Sequence, residues 1–239
     1  MAVAETAKKL RLLLSWCDPR CARDAKGKDL NDLQSVLELA DKYSMGAIVV
    51  NVEETILGME KVIASEPLRV FCIAARFRLQ SVMHAAVLEA LKVPVAEWTT
   101  IPEMEHIPAF KIVQLIQYHK TCVDEVQDLA NAELQYKDFY SFFPNRNNCC
   151  SQCSQKNLRA YLNHAAKALE NRPSAATLDM AFLRRVLGLE ECLPCSFCRT
   201  TVSMALFDVQ QHLVNLIKDT INQVLLFSCL LFFFNFHLF

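Results

Sequence analysis

EPLRVFCIAARFRL, Glu66 to Leu79, decides the class of this chain when it is read with LNDLQSVLELADKYSM, Leu30 to Met45. In the first stretch Pro67 suits an opening helical turn, where its missing N–H leaves no bond unmade. Val70, Ile73, Ala74 and Phe77 then recur at helical spacing as one apolar stripe. In the second stretch Leu30, Leu33, Leu37 and Ala40 share a face, with Asp32, Gln34, Glu38 and Asp41 elsewhere. Small residues in both let helices approach closely. Both stretches are amphipathic helices without a catalytic constellation, and they predict an all-α fold.

The rest of the chain agrees. Working outward, helices are predicted over Glu5–Cys17, with Leu10, Leu13 and Leu14 inward, over Leu30–Tyr43 and over about Met45–Ala64. A helical hairpin follows, Glu66–Phe77 with Gln80–Val93. A proline-rich connector runs from Pro94 to Pro108. Ala109–Leu134 is long and periodic through Phe110, Val113, Ile116, Val123, Val126 and Leu129. Further helices are expected over Asn157–Asn171, Asp179–Gly188 and Thr201 to about Leu225. No repeat of fixed period is visible, so a solenoid is not expected.

Composition narrows the function. The 239 residues are 53% hydrophobic and 21% charged, which supplies ample material for a core, and the formal net charge is -1. That balance, without a basic run, gives no electrostatic footprint for nucleic acid. Four glycines, Gly27, Gly46, Gly58 and Gly188, are too few and too dispersed for a phosphate-cradling loop. The histidines are scattered, with no H-E-x-x-H arrangement and no nucleophile–base signature. An enzyme is therefore not expected. The N-terminus, MAVAETAKKLRLLL, has no apolar run ahead of a small-residue cleavage site, so the eleven cysteines are expected in a reducing compartment, cytoplasmic or nuclear.

Cysteine pairs are the metal-type signal. Cys150-x-x-Cys153 and Cys195-x-x-Cys198 each lie in a polar loop by this reading. A C-x2-C turn sets two thiolates on one side of a knuckle, and two such turns complete a tetrahedral zinc site with Zn–S of about 2.3 Å. One structural zinc held by Cys150, Cys153, Cys195 and Cys198 is the reading set beside reduced, unpaired thiols and a redox role. Cys149 and Cys192 offer alternative pairs. Cys17, Cys72, Cys122 and Cys229 read as simple core thiols.

The order of these elements resembles a known family. ETAKKLRLLLSWCDP, LNDLQSVLELADKYSM and EPLRVFCIAARFRL look like the fungal BTB/POZ-domain proteins of mushroom-forming species, and EMEHIPAFKIVQLIQYH, Glu103–His119, is similar to that family's central helix. The cysteine-pair region is similar to the family's C-terminal part. The resemblance implies a non-enzymatic protein–protein interaction module that binds a protein partner or itself. One alternative it carries is a substrate adaptor of a cullin-type ubiquitin ligase. By the same comparison the chain opens near the last strand of the BTB fold and lacks its strand-rich first half. The expected organisation is a C-terminal part of a BTB/POZ domain over 1–62, a helical extension over 63–135, a cysteine-containing helical module over 136–225 and a hydrophobic tail over 226–239.

That tail, VLLFSCLLFFFNFHLF from Val224 to Phe239, would rise roughly 24 Å as a helix, short of the about 30 Å of bilayer hydrocarbon. It is expected to continue the preceding helix or pack loosely, with a tail-anchored membrane protein as the alternative. Read-through of apolar codons and a docked core segment are the other readings of it.

Overall fold

The structure is a computed structural model that describes residues 5–17, 29–135, 151–189 and 196–234, with side chains over 5–17, 29–132, 157–188 and 203–225. Among the described residues the chain is all-α: ten α-helices and three short 3-10 turns, with no strand. It divides into two compact units. The first comprises residues 1–90 and 99–112, the second residues 91–98 and 113–239.

The first unit holds α1 (Ala7–Cys17), α2 (Leu30–Lys42), α3 (Gly46–Leu57), α4 (Glu60–Ser65), α5 (Pro67–Phe77) and α6 (Gln80–Ala90). It adds a 3-10 turn over Pro102–His106 and the first residues of α7 (Ala109–Gln135). Local chemistry sets the helix ends. Asp29 stands in extended backbone and its side chain accepts from the Asp32 N–H at 2.7 Å, filling one of the orphan donors that opens α2. Lys42 closes that helix beside the negative end of its dipole. Ser44, in the left-handed region at φ 54°, then turns the chain into α3. Pro67 occupies the opening turn of α5, as its fixed φ favours. Arg78, left-handed at φ 60°, donates its N–H to the Ala74 carbonyl and ends α5. This reversal sets α6 antiparallel against α5.

The core of the unit is built on α5. Val70, Phe71, Cys72, Ile73 and Ala74 are each 2% exposed or less, because α6, the Pro102–His106 turn, α4 and α2 all pack against this helix. Leu33, Val36, Leu37 and Ala40 of α2 and Val52 and Ile56 of α3 are fully enclosed. Charged groups rim this core. Arg69 Nε reaches Glu103 Oε1 at 2.6 Å, its Nη1 reaches Glu66 Oε2 at 3.0 Å, and its Nη2 donates to Asn31. Glu38 receives Lys9 Nζ at 3.2 Å and Arg76 Nη1 at 3.1 Å, joining α1, α2 and α5.

Several expectations are corrected in the first unit. The helix expected from about Met45 to Ala64 is two helices, because Gly58 is a poor helix former and the chain breaks there. The break lets α4 pack on α6 and bury Ile63. In α1 it is Leu13 and Trp16 that face inward, while Leu14 is 64% exposed. Phe77 is half-buried, and Phe71 and Cys72 share the interior instead.

The second unit holds the remainder of α7, α8 (Ser151–Leu169), α9 (Met180–Leu189) and α10 (Ser196–Phe234), with 3-10 turns over Val95–Glu97 and Ala175–Leu178. Ala205, Val209, Leu213, Ile217 and Ile221 form the buried stripe of α10, which packs on α8, α9 and the Ala175–Leu178 turn. Gln210, buried in that stripe, donates from Nε2 to the Leu178 carbonyl. Tyr161 of α8 meets Phe182 of α9 edge to face, with ring centroids 6.0 Å apart. On α7 the buried face is Leu115, Tyr118, His119, Cys122, Val126 and Ala130, so Phe110, Val113 and Ile116 are exposed against expectation. The tail continues α10 as far as Phe234, and among the described residues no helix is long and apolar enough to cross a membrane.

Phe71 sits fully enclosed on α5, so Phe71→Ala should remove both its transfer free energy and the packing around it. A loss of about 3–5 kcal/mol in unfolding free energy is expected, measured by urea titration followed by circular dichroism. A change below about 1 kcal/mol would mean that α5 is not central.

Candidate functional site

Of the four proposed zinc ligands, Cys150 and Cys195 lie outside the described residues. Cys153 falls in the first turn of α8 and Cys198 in the first turn of α10, outside the side chains described. Both helices begin earlier than their periodicity suggested, at Ser151 and Ser196, so these two cysteines occupy helical backbone and not polar loops. Among the described residues no group of three or more His, Cys, Asp or Glu side chains converges to hold a metal ion.

The buried thiols have a defined chemistry. Burial pushes Cys72 up to about 12, with the Glu103 carboxylate adding to the rise. Burial likewise pushes Cys122 up to about 12, against the opposing hydrogen bond of Tyr118. A thiol in this range is protonated at neutral pH and is a poor nucleophile and metal ligand. Both are enclosed core groups, as the sequence led us to expect, whereas Cys17, expected with them, is exposed at the end of α1.

A groove on the first unit is the candidate interaction site. It encloses ≈ 510 Å³ and is formed where the end of α1 meets the Ser44–Met45 turn and the first turns of α3. Trp16, Met45, Ala47 and Ile48 supply its apolar walls, Ser44 and Asn51 its polar edge, and among the described residues none that lines it is charged. The geometry follows from local structure. Left-handed Ser44 brings Met45 and Gly46 round to face the α1 terminus. Leu14, three residues before Cys17, and Val50, three after Ala47, share those helix faces and are 64% and 54% exposed. A depression without charge among its described lining residues, flanked by exposed aliphatic side chains, matches the core of a protein–protein contact, where charged residues are depleted. No sequence motif announced it, because its walls come from two separated segments.

A buried histidine lies in the second unit. His119 on α7 is 4% exposed and meets the Trp98 ring edge to face, with centroids 5.7 Å apart. The Val93 carbonyl accepts from Trp98 Nε1 at 3.3 Å, and His119 also bonds the Val93 backbone. Its Nε2 is buried without a hydrogen-bond partner among the described residues. Desolvation by burial holds the imidazole below its ordinary range, and the Val93 bond only partly opposes this.

No family model matches the chain, and no curated protein or solved structure shows significant similarity to it.

The depressed His119 sets a pH dependence. Below the free-imidazole value of about 6.5 the unfolded chain takes up a proton that the folded chain refuses until a lower pH. Stability contributed by neutral, buried His119 is therefore complete above that value and is lost as pH falls through it. Unfolding midpoints in urea between pH 7.5 and 5.5 should decline, and His119→Phe should flatten the decline across this window. An identical slope in the variant would contradict the assignment.

Proposed function

We propose that this chain is a non-enzymatic protein–protein interaction module of BTB/POZ type whose docking surface is the groove between α1 and α3. The observation that carries the reading is the groove of Trp16, Met45, Ala47 and Ile48, with no charge among its described lining residues and exposed Leu14 and Val50 at its border. Trp16 and Ile48 are already buried and form the floor, so the apolar surface left to a partner is that of Met45, Ala47, Leu14 and Val50, whose covering gains roughly 25 cal/mol per Å² before association costs. An amphipathic helix of a protein partner, or of a second copy, is the ligand such a depression fits. The protonated state of Cys72 and Cys122 further supports a structural role for these thiols. The BTB/POZ assignment is supported by the order of segments in the sequence. Two of those segments supply α2 and α5, which lie against one another in the first unit.

A photocrosslinking residue at Val50, in the full chain expressed in cells, tests the reading. A discrete adduct with one protein species is expected, and Ala47→Glu, at an exposed position inside the groove, should cut its yield by about tenfold. Circular dichroism should show Ala47→Glu folded. No adduct, or an adduct indifferent to Ala47→Glu, would contradict the proposal.

A further inference from the structure

A second cleft, of ≈ 780 Å³, lies wholly within the second unit. Its walls are the Lys92–Glu97 connector, the end of α8 with the residues after it, and one face of α9. Among the described residues four cations, Lys92, Lys167, Arg172 and Arg185, line it against two carboxylates, Glu97 and Asp179. Both carboxylates are engaged. Asp179 Oδ1 accepts from the Phe182 N–H at 2.7 Å, where it opens α9. Glu97 faces Arg172 at 3.8 Å, a pair whose side chains are 60% and 52% exposed. Exposed pairs of this kind are held by about 1 kcal/mol or less, so an incoming carboxylate can take over the guanidinium. Lys167 and Arg185 make no ion pair among the described residues. The local excess of positive charge stands out on a chain of formal net charge -1.

The same cleft is not purely basic. Pro94, Ala168 and Phe182 give it apolar wall, and Phe182 is fixed in place by Tyr161 behind it. Asp179, Phe182 and Arg185 follow one another at three-residue spacing, so one helix face presents a carboxylate, a ring and a guanidinium in turn. A continuous polyanion such as nucleic acid would meet the two carboxylates at close range. A peptide that spaces its carboxylates with apolar side chains would meet cations and apolar wall alternately, and its own N–H groups could donate to Glu97. Arginine forks pair with carboxylates in bidentate geometry, and clusters of them are a recurring means of reading acidic motifs.

We propose that this cleft binds a short acidic segment of a partner protein, at a site separate from the α1–α3 groove. The probe is a dye-labelled peptide of alternating glutamate and leucine, with its glutamine counterpart as control, titrated with the full chain and read by fluorescence anisotropy. The glutamate peptide should bind at least about tenfold more tightly than the glutamine one, and rising salt should weaken it. The double reversal Lys167→Glu/Arg185→Glu should lower affinity by about tenfold or more, while Ala47→Glu in the other groove should leave it unchanged. Should the double variant fail to fold, Lys167→Gln at its exposed helical position replaces it, with a loss of about threefold expected. Equal binding of the two peptides, or affinity indifferent to the cleft variants, would overturn the proposal. Displacement by tripolyphosphate at concentrations matching the peptide would also overturn it, by assigning the cleft to small anions.

Discussion

Burial of one short helix organises the first unit. Five successive residues of α5, Val70 to Ala74, are enclosed, and a helix turns through more than a full circle over that span. An isolated helix of this length is marginal in water, so α5 exists because neighbours cover it on every side. The elements around it are placed by that requirement: α6 returns along it through the Arg78 turn, α2 and α4 pack on it, and the Pro102–His106 turn closes the remaining side. Arg69 and Arg76 lie on the same helix, where their guanidinium groups meet Glu103, Glu66 and Glu38 at the margin of the apolar contact. These ion pairs are part-buried, Arg69–Glu103 most deeply, and they orient the helices around the apolar contact.

The groove is a consequence of this packing. The chain must reverse at Ser44 for α3 to follow α2 on the same core, and a reversal in left-handed backbone projects the first turn of α3 outward. Ala47 and Val50 are then left on the solvent side, while Ile48 and Val52 point in. An interaction surface arises where a helix has apolar residues on more of its circumference than its own core can cover. The cleft of the second unit has another origin, in cations delivered by three separate segments to one depression.

Where apolar residues occupied a single face, the sequence was sufficient. Leu30, Leu33, Leu37 and Ala40 are buried as their spacing required, and Pro67 opens α5 as its chemistry required. Helix α7 shows the opposite case. It carries apolar residues on both the face of Leu115 and Cys122 and the face of Val113 and Ile116, so periodicity cannot choose between them, and tertiary contact does. The break at Gly58 left no left-handed signature, since its φ is -70°, and the early starts of α8, SQCSQK, and α10, SFCRT, carry no helical stripe of apolar residues. The groove and the basic cleft were illegible because each gathers residues distant in sequence, whereas the cysteine pairs were conspicuous because their spacing is local.

Native-state hydrogen exchange read by mass spectrometry tests the organising role of α5 most directly. Amides of Val70 to Ala74 should exchange only through global unfolding and be among the slowest in the first unit, with those of α1, whose Leu14 face is open to solvent, exchanging sooner. Protection at Val70 to Ala74 no greater than in α1 would contradict the account.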